Sequence, residues 1–136
     1  NVQGDMPDIT VDIIKTVANG IFINDSPITT VYTKMNKDLQ KDPNSVKLIH
    51  THDKAHWFCR AGLEYGAHHL GVYGYTRQAL SAYSKLHVCN EENIEKLEQL
   101  RWLQNDYTMS VYEVKFNGME INTPEDLIEW HKQNSQ

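Results

Sequence analysis

Four glycines lie close together in the middle of the chain, and they constrain the fold more than any other feature: Gly62, Gly66, Gly71 and Gly74. Apolar and aromatic residues recur around them at helical spacing, with Trp57 on one side of such a helix and Leu63 on another. Each glycine in a helix interior costs about 1 kcal/mol relative to alanine. Close packing against another backbone, or a break near Gly71, must therefore favour them. We expect a central glycine-rich helical segment over 53–87, with one helix over about 53–70 and another over about 75–87.

The flanking segments predict further helices and two β-hairpins. Helical spacing over 7–19 ends at Gly20, and acidic residues open a strong amphipathic pattern over 90–104. A last helix begins at Thr123-Pro124, an N-cap followed by proline at the first helical position.

Turn residues predict the hairpins, one over 20–33 around "NDSP" and one over 110–121 around Asn117-Gly118. A short strand over 45–50 ends at His50. The whole chain, residues 1–136, is predicted to be a single α+β domain with about four to five helices.

Composition excludes some classes of protein. The formal net charge of −5 and pI of about 5.7 argue against broad non-specific binding to nucleic acid, which needs clustered basic residues. No apolar run approaches the roughly 20 residues that span a bilayer, and "NVQGDMPDI" lacks the features of a signal peptide. Cys59 and Cys89 are too far apart for a CxxC site. We therefore expect a cytoplasmic protein with reduced thiols and no membrane partner.

The segment "HTHDKAHW" (50–57) contains three of the seven histidines. His50 and His52 fall on one face of a strand end because side chains alternate along a strand, and His56 follows one helical turn later. Zinc accepts imidazole nitrogens as ligands, although these residues do not complete a known zinc-binding pattern such as HExxH. The prediction is a metal site of His50, His52 and His56, with zinc as the one cofactor that these residues suggest. The alternative is that the histidines cap the strand by hydrogen bonding.

Acid/base and stacking chemistry have candidates in the same region. Glu64 and His68 are four residues apart, and Trp57 would supply an apolar wall beside them. Aromatic residues interleaved with basic ones can stack on nucleobases. The alternatives are a surface ion pair for Glu64 with His68, and ordinary core packing for the aromatic side chains.

One spaced pattern resembles a known family. The residues at fixed intervals are His52, Trp57, Tyr65, Tyr83, Lys85, His87 and Cys89. Over 52–89 this pattern is similar to the phage pyrimidine dimer DNA glycosylase-like family, although Glu64 stands where that family has asparagine. The resemblance implies base excision, with an extruded base held among aromatic side chains. Together with the acid/base and stacking candidates, it predicts catalytic roles for His52, Glu64, His68 and His87, and substrate-binding roles for Trp57, Arg60, Tyr65 and Lys85.

Three functions therefore stay open. The first is a small enzyme of phage type that processes nucleic acid or nucleotides, by DNA base excision or a related step. The second is a metal-dependent hydrolase built on the His50/His52 pair. The third is a non-enzymatic module whose acidic surface binds a partner protein.

Overall fold

The computed structural model describes residues 1–135. Five strands and six helices lie within these residues. The strands are β1 (Ile28–Lys34), β2 (Lys47–Thr51), β3 (Lys54–Cys59), β4 (Ala67–Tyr75) and β5 (Met109–Glu113). The helices are α1 (Val11–Ile23), α2 (Lys37–Lys41), α3 (Arg77–Ala82), α4 (Asn90–Glu95), α5 (Gln99–Gln104) and α6 (Pro124–Asn134), with a 3-10 turn at Tyr83–Lys85 after α3.

All five strands belong to one mixed sheet, closed in the order β1-β4-β2-β3-β5. β1 pairs antiparallel with β4 and parallel with β5, which comes much later in the chain. The closure rests on one antiparallel pair, Lys54 with Ser110. The α+β prediction of two separate hairpins is wrong. A parallel pair needs a long crossover connection, and the helices between β1 and β5 lie within that connection, as in α/β proteins.

Helices cover both faces of this sheet. Ile13 and Val17 of α1 pack with Val31, Leu70 and Val72 on one face. On the other face, Leu100 and Trp102 of α5 join a larger cluster with Ile28, Leu48 and Phe58. The protein therefore has two apolar layers separated by the sheet.

The central glycine-rich segment is extended, so the helix predicted over 53–70 is wrong. β3 and β4 occupy most of that range, and the first seven residues of β4 are all buried. A strand buried on both faces is apolar almost continuously, and such a run also satisfies helical spacing. Gly74 fits because a Cβ there would lie 2.7 Å from Oγ1 of Thr29 and 3.0 Å from Val17. Gly66 enters β4 with φ of +96°, a conformation that glycine adopts without strain.

The other predicted elements are absent, divided or shorter than expected. Residues 20–23 continue α1, so the hairpin over 20–33 is wrong, and β1 pairs with distant strands. The helix over 90–104 is divided into α4 and α5 by Lys96, whose φ of 58° ends α4 in the left-handed region. Of the hairpin predicted over 110–121, only the first strand is present, as β5, because no strand follows Asn117-Gly118 in the described chain. The helix over 75–87 shortens to α3 and the 3-10 turn.

Two predictions are confirmed. A strand over 45–50 is present as β2, and α6 begins at the predicted Thr123-Pro124 with a full capping box. Across residues 1–135, no helix has the length and apolar character needed to cross a membrane.

Candidate substrate-binding cavity

A cavity of about 470 Å³, the main cavity, opens beside β4. Its walls come from β4, from the segment around α3 and the 3-10 turn, and from the junction of α4 with α5. The first residues of the chain form a further wall, because Asn1–Gln3 pair with β4. Gln3 N donates to Gly71 O at 3.1 Å, and Tyr73 N donates to Asn1 O at 2.8 Å. Backbone pairing therefore places Asn1 and Gln3 beside Tyr73 at the cavity.

Aromatic rings form one wall of the main cavity. Tyr75 lies between Tyr73 and Trp102, with ring centroids 5.9 Å and 5.8 Å away, and the Tyr83 ring lies 5.1 Å from Trp102. The Arg101 guanidinium covers Tyr83 at 4.2 Å from its centroid. Such a wall offers flat apolar surface together with phenol groups at its edge.

Burial keeps these phenols protonated. It raises the pKa of Tyr75 to about 12 and the pKa of Tyr73 well above 10. Burial also raises the pKa of Tyr83, whose hydroxyl is enclosed and has no hydrogen-bond partner among the described residues. A buried hydroxyl without a partner costs about 1–3 kcal/mol. The Tyr83 hydroxyl therefore has unused hydrogen-bonding capacity beside the main cavity.

A neutral histidine lies deeper in the main cavity. His69 in β4 is 4% exposed, and its Nε2 lies 2.9 Å from Oγ1 of Thr30. The Phe58 ring meets it edge-on at 4.9 Å. Burial lowers the pKa of His69 to about 3, helped by the neighbouring His68. The ring is therefore uncharged near neutral pH.

Two cations lie at the cavity wall. Nε of Arg60 donates to Glu95 O at 3.1 Å, and Nη1 donates to the carbonyls of Asn44 at 2.9 Å and Pro43 at 3.3 Å. These bonds fix the plane of the guanidinium, and Nη2 has no hydrogen bond to the described residues. Lys96 is the second cation, at the left-handed end of α4. A fixed guanidinium with a spare N–H group suits a carboxylate ligand.

Few of the residues singled out from the sequence reach the main cavity. Of the predicted substrate-binding residues, Arg60 lines it, whereas Trp57 packs against the core and both Tyr65 and Lys85 are exposed. Of the predicted catalytic residues, His52, Glu64 and His87 are exposed, and none of them lines this cavity.

His68 has a different partner from the one expected. Its Nε2 lies 3.3 Å from Oε1 of Glu120, beside a smaller cavity of about 260 Å³. The helical pairing of Glu64 with His68 is wrong, because Glu64 lies in a loop before β4.

The predicted zinc ligands surround the turn between β2 and β3. Nδ1 of His50 lies 2.8 Å from His52 O, its ring lies 4.4 Å from the Tyr32 ring at a tilt of 37°, and His52 itself has φ of 52°. His56 lies on β3 and is exposed. Within residues 1–135, no group of three or more His, Cys, Asp or Glu side chains is arranged to hold a metal ion.

Sequence reasoning missed most of the cavity. The missed lining residues include Gln3, His69, Tyr73, Lys96 and Gln99. A usable signal was the run "HHLGVYGY" (68–75), where histidine and tyrosine alternate with small or apolar residues as they do in a strand.

Comparisons with known proteins give a consistent description of this chain. No protein-family model matches it. It is 37% identical to a 3-deoxy-manno-octulosonate cytidylyltransferase of a Nitratiruptor species, over 93% of this chain and 58% of the relative. An enzyme of the same name from Elusimicrobium minutum is 35% identical, over 97% of this chain and 60% of its own length.

A third relative is the 8-amino-3,8-dideoxy-manno-octulosonate cytidylyltransferase of a Shewanella species. It is 35% identical over 93% of this chain and 57% of the relative. The chain thus spans about three fifths of the length of these relatives.

A solved structure has the same fold. CMP:2-keto-3-deoxy-manno-octonic acid synthetase, complexed with CTP, superposes with a TM-score of 0.90 at 28% identity. The superposition covers 100% of this chain and 61% of that one. The α/β fold of this chain is therefore that of a nucleotidyltransferase.

These similarities correct the functional predictions. The resemblance to the phage glycosylase-like family is wrong, because the relatives are cytidylyltransferases and none of His52, Tyr65, Lys85 and His87 lines a common cavity. DNA base excision and metal-dependent hydrolysis are wrong as well, because the relatives are cytidylyltransferases.

Proposed function

We propose that this chain forms the part of a cytidylyltransferase that receives the acid sugar, and that the main cavity is where the sugar binds. In the proposed reaction a sugar hydroxyl attacks the α-phosphorus of CTP. A new P–O bond joins CMP to the sugar, the bond to the β-phosphate bridging oxygen breaks, pyrophosphate leaves, and the hydroxyl proton passes to solvent. The relatives' names supply the acceptor, and the CTP complex of the similar structure supports the nucleotide partner.

The observation that carries the proposal is the fixed guanidinium of Arg60. Three backbone carbonyls hold this side chain against the wall of the main cavity, with Nη2 left over for a ligand. Lys96 adds a second positive charge at the same cavity. An octulosonate has one carboxylate, and hydrogen bonds to charged groups are worth about 1.5–3 kcal/mol each. These two positive charges give a carboxylate favourable contacts at their part of the wall, although Glu98 also lines the cavity and the whole chain carries a net charge of −5.

The remaining lining suits a molecule rich in hydroxyl groups. Gln3 and Gln99 offer amides that both donate and accept hydrogen bonds, and Tyr83 offers an enclosed hydroxyl without a partner among the described residues. The half-buried Tyr75 ring gives the C–H face of a sugar a flat apolar surface. A volume of about 470 Å³ lies within the range of about 300–1,000 Å³ that small-molecule sites occupy. These features together support an acid sugar as the ligand.

Calorimetric titration with 3-deoxy-manno-octulosonate tests this proposal on the chain as it stands. Wild type should bind the acid sugar and should not bind fructose, a ketose without a carboxylate. Arg60→Gln and Lys96→Asn should each weaken binding about tenfold or more, since each removes a charge-assisted contact. Asparagine is chosen at position 96 because it tolerates the left-handed backbone there.

Lys85→Met is the matched control, because Lys85 is exposed and lies outside the main cavity. It should bind the acid sugar as wild type does. The proposal fails if wild type does not bind the acid sugar. It also fails if both charge-removing variants, shown to be folded by circular dichroism, bind it as tightly as wild type.

A further inference from the structure

Thr30 of β1 has more hydrogen-bond acceptors around it than its single hydroxyl proton can serve. The residue is 0% exposed and lies at a register shift between β1 and β4. Its Oγ1 is 2.7 Å from Val72 O, 3.4 Å from Leu70 O and 2.9 Å from Nε2 of His69. The two carbonyl oxygens can only accept, whereas the imidazole nitrogen can donate or accept according to its tautomer.

The single proton decides the tautomer of His69. The carbonyl of Val72 is the nearest acceptor, so the Thr30 hydroxyl donates to it. The lone pairs of Oγ1 then remain for Nε2 of His69, and that nitrogen must carry the hydrogen. A neutral imidazole has one N–H group, so Nδ1 is left with a bare lone pair.

Surrounding groups hold the ring in this state. Phe58 packs edge-on against it, and the Tyr73 ring lies 5.3 Å away at 49°. Burial lowers the pKa of His69 to about 3, so the ring does not gain a second proton near neutral pH. No hydrogen bond within residues 1–135 reaches Nδ1, although the ring lines the main cavity.

We infer that Thr30 is a positioning residue, which fixes His69 as the Nε2–H tautomer so that Nδ1 accepts a hydrogen bond from a hydroxyl of the acid sugar. The second half of this inference rests on the proposed function. Arg60, Lys96 and the phenols at the same cavity are donors, whereas Nδ1 is a neutral acceptor. A carboxylate is repelled by a lone pair and attracted by a guanidinium. The pair of His69 and Arg60 would therefore orient the sugar, with a hydroxyl at one and the carboxylate at the other.

Imidazole nitrogen NMR tests the tautomer without any ligand. In ¹⁵N-labelled protein, long-range ¹H–¹⁵N correlations distinguish a protonated ring nitrogen from a bare one. Wild type and Thr30→Ser should show hydrogen on Nε2 of His69, because serine keeps the hydroxyl. Thr30→Val has nearly the same shape without the hydroxyl, and it should show the other tautomer or a mixture.

Thr29→Val is the matched control. Thr29 is also 0% exposed, and its Oγ1 donates to Val17 O at 2.7 Å, so it is an equivalent buried hydroxyl that does not contact His69. This variant should leave the tautomer unchanged. Hydrogen on Nδ1 in wild type overturns the inference, and so does a Thr30→Val protein with the wild-type tautomer. If Thr30→Val does not fold, the wild-type and Thr30→Ser spectra still decide the first point.

Titration with 3-deoxy-manno-octulosonate tests the hydroxyl contact. Thr30→Val should bind about tenfold more weakly than wild type, the loss expected for one hydrogen bond, while Thr30→Ser and Thr29→Val should differ by less than about threefold. Equal affinity of Thr30→Val and wild type overturns the contact. If wild type does not bind the acid sugar, the proposed function and the hydroxyl contact are both wrong. The NMR result needs no ligand, so it still shows whether Thr30 fixes the tautomer of His69.

Discussion

Replacing Lys47 by methionine should destabilise the protein strongly, although the residue is a lysine inside a β-strand. Lys47 is 0% exposed, and its Nζ donates to the carbonyls of Asp42 at 2.5 Å, Ser45 at 2.9 Å and Arg60 at 3.2 Å. Methionine has a similar length but no donor, so it leaves these carbonyls without their ammonium partner. The perturbation is therefore electrostatic and changes the packing volume little.

The magnitude follows from the number of bonds lost. Three carbonyls lose a donor, although Asp42 O keeps the bond from Ser45 N at 3.2 Å, and an enclosed carbonyl left without a partner costs about 1–3 kcal/mol. Methionine recovers part of this, because burying an ammonium also carries a desolvation penalty. We expect a net loss of about 3 kcal/mol in the free energy of unfolding. With a urea m-value of about 2 kcal/mol/M, the midpoint should fall by about 1.5 M.

Urea unfolding followed by tryptophan fluorescence measures this loss, with Lys54→Met as the control. Lys54 is exposed on β3, and its replacement should change the free energy of unfolding by less than about 0.5 kcal/mol. Amide exchange at 42–45 should also be faster in Lys47→Met, because the ammonium holds that loop. A loss below about 1 kcal/mol would refute the reasoning, since it would mean that water replaces the lysine at little cost.

Three further predictions concern stability. Glu92→Gln should lower the free energy of unfolding by about 2 kcal/mol in chemical denaturation. The half-buried Arg101 donates to both carboxylate oxygens of Glu92, at 2.6 Å from Nη2 and 2.9 Å from Nε. An unchanged free energy of unfolding would contradict a structural role for this pair. For His69, the folded-state pKa of about 3 lies below the ordinary value of 6.5, so the unfolded chain binds the extra proton first. Stability should therefore fall by about 1.4 kcal/mol per pH unit from this residue as pH drops from 6.5 towards 3, and thermal unfolding of His69→Gln should lack that component. Thr123→Ala should cost about 1 kcal/mol by removing the capping box of α6, whereas Thr123→Ser should cost little; equal unfolding midpoints for the two variants would refute the cap.

Local signals in the sequence were reliable where one short segment determines the structure. The start of α6 depends on Thr123 and Pro124 alone, and both act within a single turn. β2 likewise follows from a short apolar run. The end of α1 shows the limit of such local signals. Gly20 was predicted to end the helix, yet Gly20 is helical and α1 continues to Ile23. A Cβ at Gly20 would lie 3.0 Å from Cγ2 of Thr29, so tertiary packing explains this glycine better than a helix stop does.

Long-range pairing was beyond the sequence pattern. β1 pairs with β5 in parallel, and no local feature of 28–34 indicates a partner at 109–113. The same limit applies to the main cavity, which combines Asn1–Gln3, β4 and the junction around Lys96. Arg60 was singled out for its aromatic neighbours in the sequence. Its place in the cavity depends on the carbonyls of Pro43, Asn44 and Glu95, which only the folded chain brings together.

The histidines show that residue type and closeness in the sequence do not by themselves predict a functional site. His50, His52 and His56 suggested chemistry because they are close in sequence, yet they surround an exposed turn. His69 was not predicted as a site residue, because it lies in an apolar run. Burial on β4 and the hydroxyl of Thr30 give it a defined protonation state, and neither is visible without the sheet register.

The central claim is that the main cavity binds an acid sugar, and a crystal structure of the chain with 3-deoxy-manno-octulosonate tests it most directly. We predict electron density for the sugar between Arg60 and His69, with the carboxylate within hydrogen-bond distance of the guanidinium and a hydroxyl within hydrogen-bond distance of Nδ1. Density for the sugar at another surface, or in the main cavity with the carboxylate turned away from Arg60, would contradict the account.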